Sequence, residues 1–169
     1  VCVPSVLHEE VTVAALERGV HVILEKPFTG YFGPDDEEEF RGNEFSKATM
    51  RAEALASAGR ICAAEEQSEA RLYYAENWLY APAIQKEAEV VRKTGAQILW
   101  MIAEESHSGS HSDAYGIWRY SGGGSLMGKG CHPLTTVLCL KRLEGMANGG
   151  TAIRPATVTS RVHELTRIE

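Results

Sequence analysis

A lysine beside a glutamate at the end of an apolar run is the first chemically pointed feature of this chain. The run VHVIL (20–24) stops at Glu25-Lys26-Pro27. A lysine amine at a sheet edge, partly withdrawn from water, can polarise or deprotonate a hydroxyl. The plainer alternative is a Glu25–Lys26 charge pair that finishes a strand. Two more polar groups close apolar runs: Pro4-Ser5 after VCV, and Glu76-Asn77-Trp78 after RLYYA. Ligands of open parallel sheets bind beyond the carboxyl ends of the strands. Three strand ends turning polar together therefore single out one edge as the candidate site.

A second collection lies at 104–116, EESHSGSHSDAYG, where Glu104, Glu105, His107 and His111 precede His132 in the sequence. Carboxylates and imidazoles in this number suit a metal, contacts to a polyhydroxy substrate, or ordinary loop packing. His-x-x-x-His holds a metal well on a helix, but Gly109 and the serines favour a loop, and we assign no metal. Trp118 and Tyr120 either wall a pocket or fill core. His8, His21 and His163 read as structural.

The elements that must position these groups follow from periodicity. VCVPS ends a buried strand. HEEVTVAALERG is a helix whose Glu9 and Glu10 suit the dipole at its start and whose end is marked by Gly19. VHVIL is the next strand, so residues 1–25 carry the strand–helix–strand rhythm of a parallel βαβ unit. The acidic stretch YFGPDDEEEFRGNE is a solvated surface loop. Ser46 caps a helix to about Gln67, with Met50, Ala54, Leu55, Ala58 and Cys62 as its apolar stripe. ARLYYAEN is a third strand. Pro82 opens a helix that Gly95 closes. AQILWMIAEES (96–106) and ATVTSRVHE (156–164) read as strands, the latter with Val158, Ser160 and Val162 on one face. SGGGSLMGKGCHP is a glycine-rich turn into a helix beginning near His132.

Composition narrows the function classes. The chain has 169 residues and a net charge of −6, which disfavours nucleic-acid and anionic-membrane surfaces, since both reward clustered Lys and Arg. No apolar run has the length of a membrane span. Four scattered cysteines without a C-x-x-C pair read as reduced, mostly buried thiols of a cytoplasmic protein.

VPSVLHEEVTVAALERGVHVILEKPF resembles the Gfo/Idh/MocA oxidoreductases, whose pattern is a strand ending in Pro, a His, a helix ending in Gly, then an EKP turn. ENWLYAPAIQKEAEVVRKTG and GGGSLMGKGCHPLTTVLCLKRL are similar to two later segments of the same family. The resemblance implies an α/β protein: residues 1–77 as the later part of a Rossmann domain (a doubly wound parallel sheet), and residues 78–169 as part of an α+β substrate domain with an open, mainly antiparallel sheet. It implies NAD or NADP as cofactor and hydride transfer to or from a hydroxyl-bearing carbon of a sugar, cyclitol or similar small molecule. Homo-oligomers would form through the second domain's sheet.

By the same resemblance Lys26 bonds the reacting hydroxyl and His132 is the general base. Pro4, Ser5, Glu25, Pro27, Glu76 and Asn77 line the nicotinamide side. Apart from the resemblance, Glu104, His107, His111, Trp118 and Lys129 are expected to contact the substrate. The family's aspartate is Gly128 here and its later one Thr135, so no carboxylate orients His132 from the expected place; Glu104 or Glu105 is the alternative acid. No G-x-G-x-x-G occurs, so the phosphate-binding half is expected before Val1 and further strands after Glu169. This piece alone is expected neither to bind cofactor tightly nor to turn over. A hydrolase or lyase on the same fold, and a non-catalytic dinucleotide sensor, are the competing readings.

Overall fold

Strand pairing in this protein is parallel, and the short strands that pair lie 50 residues apart in the chain. The structure, a computed structural model, describes residues 1–37, 39–106 and 116–162. Strand β1 (Val22–Glu25) pairs with β2 (Leu72–Ala75) in the register Val22↔Leu72 through Glu25↔Ala75. On the other side of β1, the Val1 amine donates to the Ile23 carbonyl and the Glu25 N–H donates to the Val1 carbonyl at 3.1 Å. Those two bonds are a parallel pairing, so VCV does run beside β1 as the end of a third parallel segment. The α/β class holds.

The chain divides into two compact units. Unit 1 comprises Val1–Glu76 and Glu105–Cys131; unit 2 comprises Asn77–Glu104 and His132–Glu169.

In unit 1, helix α1 (His8–Leu16) follows a 3-10 turn (Ser5–Leu7) and ends in a turn through Gly19, whose φ is +71°. Helix α2 (Lys47–Gln67) starts where expected: Ser46 accepts the Thr49 N–H. The two helices pack together, and the Arg60 guanidinium grips the Glu9 carboxylate with two nitrogens, holding that carboxyl below its usual range. Leu16, Val22, Leu24 and Ala70 form the core, with Val1, Phe28, Ala64 and Leu72 against it. The Ser68 hydroxyl donates to the Leu16 carbonyl and accepts the Ala70 N–H, so one side chain ends α1 and starts the path into β2.

The stripe expected on α2 is shifted. Leu55 is 58 % exposed and Cys62 is exposed, whereas Ser57 and Ile61 are buried. Small residues at Ala54, Ser57 and Ala64 allow close approach of the neighbouring helix, and side-chain size rather than apolarity chose the contact face. The thiols correct a second expectation: Cys2 and Cys62 are exposed, and Cys131 and Cys139 are half-buried. All four are free.

Unit 1 also holds two short helices, α4 (Trp118–Ser121) and α5 (Gly124–Gly128), joined by the triple glycine. Gly122, Gly123 and Gly124 all have positive φ, and a side chain at Gly123 would strike the Trp118 ring. Only glycine makes this turn without strain. Trp118 packs edge-on against Phe40, which itself meets Tyr31 and Phe45. Arg119 donates to the carbonyls of Pro34, Asp35 and Glu37. With the guanidinium bound to backbone, the acidic side chains Asp35, Asp36, Glu37 and Glu39 stand in solvent, as the loop's composition indicated.

Unit 2 contains α3 (Pro82–Thr94), closed by Gly95 at φ +64°, and most of α6 (Cys131–Gly149). Pro133 sits in the first turn of α6, where its missing N–H costs nothing. The strand expected over 96–106 does not form, nor does one over the described part of 156–164. A strand needs a neighbour for its N–H and C=O groups. At Ile98 side chains fill that role: Glu144 Oε2 accepts the Ile98 N–H at 3.1 Å, and Lys141 Nζ donates to the Ile98 carbonyl at 3.1 Å. Leu99, Trp100, Ile102, Val158 and Val162 are exposed. No described helix is long and apolar enough to cross a membrane.

Candidate functional site

The parallel register determines what meets at the carboxyl edge of unit 1. Since Glu25 pairs with Ala75, Lys26 and Glu76 leave the sheet side by side, and the pairing of Val1 with β1 brings Pro4 and Ser5 to the same edge. Six of the seven residues expected on the nicotinamide side (Pro4, Ser5, Glu25, Lys26, Pro27 and Glu76) belong to unit 1. Pro4 is exposed and Ser5 begins the 3-10 turn. Glu76 is buried, 1 % exposed. Asn77, exposed, opens the 3-10 turn Asn77–Tyr80 of unit 2.

Lys26 is held at three points. The Glu25 carboxylate accepts the Lys26 backbone N–H at 2.8 Å, so it caps the strand end instead of pairing with the Lys26 ammonium. The Pro27 carbonyl meets His8 Nδ1 at 2.8 Å. The Lys26 ammonium donates to the Gly128 carbonyl at 2.8 Å, across 102 residues of sequence. Gly128 is the position where the family resemblance leads one to expect an aspartate. The acceptor that faces Lys26 there is a backbone carbonyl at the end of α5, which leaves the amine half-buried and uncommitted to a carboxylate. The Lys26–Pro27 bond is cis.

Tyr74 lies under this turn, edge-on to Phe28 with ring centroids 5.7 Å apart. Burial pushes its phenol well above the ordinary range, and Cys131, Glu76 and Glu25 act in the same direction. Tyr74 is a neutral donor at any physiological pH, not a proton acceptor.

His132, in unit 2, is 8 % exposed and lies in the first turn of α6. Its ring stacks on Trp78, with centroids 5.4 Å apart and planes 11° from parallel. Of the residues expected to face substrate, Glu104 is exposed in unit 2. Lys129 is buried in unit 1, and Trp118 belongs to the aromatic cluster described above. His107 and His111 lie outside the described residues.

Sequence reading passed over two residues of this arrangement. His8 counted only as structural, yet its two ring nitrogens reach the carbonyls of both Val3 and Pro27. Trp78 has no role legible in the sequence, yet it carries the His132 stack. Nothing in a single sequence links positions 78 and 132; they are neighbours only because α6 is folded against the turn before α3.

The family model for Gfo/Idh/MocA, an oxidoreductase family with an NAD-binding Rossmann fold, matches residues 1–36. The likeness covers 36 of the chain's 169 residues. No curated protein matches the chain. The match takes in the Val1 segment, α1, β1 and the EKP turn, which together form the carboxyl edge. It is over this segment that the chain is similar to NAD-binding oxidoreductases.

Ser5 and Lys26, both half-buried at this edge, are hydrogen-bonding groups of the kind a nicotinamide carboxamide takes. A carboxamide-bearing ring needs hydrogen-bonding groups beside an apolar wall. At the edge Ser5 and Lys26 are half-buried and Pro4 is exposed, whereas Glu76 and Pro27 are buried.

Proposed function

We propose that the protein is an NAD(P)-dependent oxidoreductase that moves a hydride between the nicotinamide and a hydroxyl-bearing carbon of a sugar, cyclitol or related small molecule. The observation that carries this reading is the family match over residues 1–36, because its EKP turn puts the Lys26 amine at the sheet's carboxyl edge. The nicotinamide, when bound, supplies the hydride acceptor or donor.

The chain's own groups have distinct tasks in this reading. Lys26 donates a hydrogen bond to the substrate hydroxyl oxygen and stabilises the negative charge that grows there as the proton leaves. His132 takes that proton, and its stack on Trp78 fixes the plane in which the imidazole edge is presented. Ser5, Glu76 and Asn77 orient the ring face. Glu104, His107 and His111 are assigned to the substrate's remaining hydroxyls.

Turnover tests the proposal: the protein is incubated with NAD or NADP and a panel of sugars and cyclitols, and reduced nicotinamide is followed by absorbance. Reduction with at least one substrate, nearly abolished in His132→Ala, is the expected result. Product formation without net reduced cofactor would instead mark a hydrolase or lyase that oxidises only transiently. Saturable cofactor binding with no turnover across the panel would mark a sensor.

A further inference from the structure

We propose that His8 is a positioning residue for Lys26, acting through the Pro27 carbonyl, an inference that rests on the catalytic role assigned to Lys26 above. The imidazole is 1 % exposed and sits at the first position of α1, a helix anchored in the core by Leu16. Its Nδ1 lies 2.8 Å from the Pro27 carbonyl and its Nε2 3.2 Å from the Val3 carbonyl. One ring thus bridges two of the segments that end at the carboxyl edge. The shorter contact identifies Nδ1 as the nitrogen that donates in the neutral ring.

Lys26 lies between the two fixed points of this turn. Its own N–H is bonded to the Glu25 carboxylate, and the next residue's carbonyl is bonded to His8. With the backbone pinned on both sides, the four-carbon stem alone decides where the ammonium goes, and it reaches the Gly128 carbonyl. Without the His8 bond, the Pro27 carbonyl would be buried without its partner. The turn would move to satisfy it. A lysine stem amplifies such a movement, because its base, and not its tip, is displaced.

The side chains of asparagine and glutamine separate the Pro27 bond from the contact with Val3. The Asn amide nitrogen stands where Nδ1 is, so His8→Asn keeps the bond to Pro27 and loses the contact with Val3. The Gln amide reaches the Nε2 position, so His8→Gln does the reverse. The primary readout is the rate at which acetic anhydride acylates Lys26, measured by peptide mass spectrometry on the folded protein. His8→Gln should change that rate by roughly 2- to 10-fold, the range one neutral hydrogen bond governs, and His8→Asn should stay near the unaltered rate. Turnover should follow the same order, with the loss in kcat and KM little changed.

Equal Lys26 acylation in all three proteins overturns the proposal, as does an equal change in both variants. If acylation separates the variants while kcat does not, the clamp stands and the catalytic role of Lys26 falls. Should neither variant fold, NMR of the unaltered protein decides: a slowly exchanging Nδ1 proton coupled to the Pro27 carbonyl supports the clamp, and an unprotonated Nδ1 overturns it.

Discussion

Replacing Lys26 by methionine keeps most of the apolar stem and deletes the ammonium, so its effects on stability and on rate can be weighed separately. The stability effect comes from the single bond to the Gly128 carbonyl at 2.8 Å. Removing it leaves a carbonyl of a buried residue without that donor, which costs about 1–3 kcal/mol, and partial solvent access at Lys26 favours the lower end. A domain with a stability of about 5–15 kcal/mol remains overwhelmingly folded after such a loss. At this chain length the melting temperature should fall by roughly 2–4 °C per kcal/mol. The rate effect is larger: a donor that stabilises the developing oxyanion contributes about 10²–10³-fold, equivalent to roughly 3–4 kcal/mol of barrier. Unfolding therefore cannot account for the expected loss. Steady-state reduction of the nicotinamide, measured beside a thermal melt, reads both quantities on one sample. Turnover within about threefold of the unaltered protein, far inside the range for a lost oxyanion donor, would refute the role of Lys26. A melt that collapses along with the rate would refute the claim that the residue is more than a staple.

Three further outcomes follow from other parts of the structure. Lys141, bonded at 2.6 Å, holds the Glu144 carboxyl below its usual range, and the Ile98 N–H adds to this. A carboxyl lowered on folding stabilises above its unfolded pKa, and that contribution disappears as pH falls through the folded value. Glu144→Gln should therefore melt lower than the unaltered protein at neutral pH, with the gap closing in acid; a gap that widens in acid would contradict the pairing. Trp78→Leu should remove the upfield ring-current shift of the His132 ring protons and cost about 0.5–1.5 kcal/mol of stacking, and an unchanged shift would deny the stack. A thiol reagent should label Cys2 and Cys62 quickly and Cys131 and Cys139 slowly, whereas four equal rates would contradict the observed burial.

The sequence alone determined most of what is local. The Ser46 cap, the Pro82 start, the Gly95 stop and the first turn of α6 at Pro133 each depend on how one residue meets its own backbone, and each stands where its chemistry placed it. The polar ends Pro4-Ser5, Glu25-Lys26-Pro27 and Glu76 were visible for the same reason, because an apolar run that turns charged marks a strand end wherever it occurs. Tertiary structure decided the partners. Of the expected core stripe on α2, Met50, Ala54 and Ala58 are half-buried, but Leu55 and Cys62 are exposed and Ser57 and Ile61 are buried instead. The run 96–106 had every local mark of a strand. A strand is completed by its neighbour, and at Ile98 the neighbours are the side chains of Lys141 and Glu144. The contacts of Lys26 with Gly128, of His8 with Val3 and Pro27, and of Trp78 with His132 were decided in the same way. A hydrogen bond or a stack needs two groups within a few ångströms, and only the folded chain sets that distance for residues far apart in sequence.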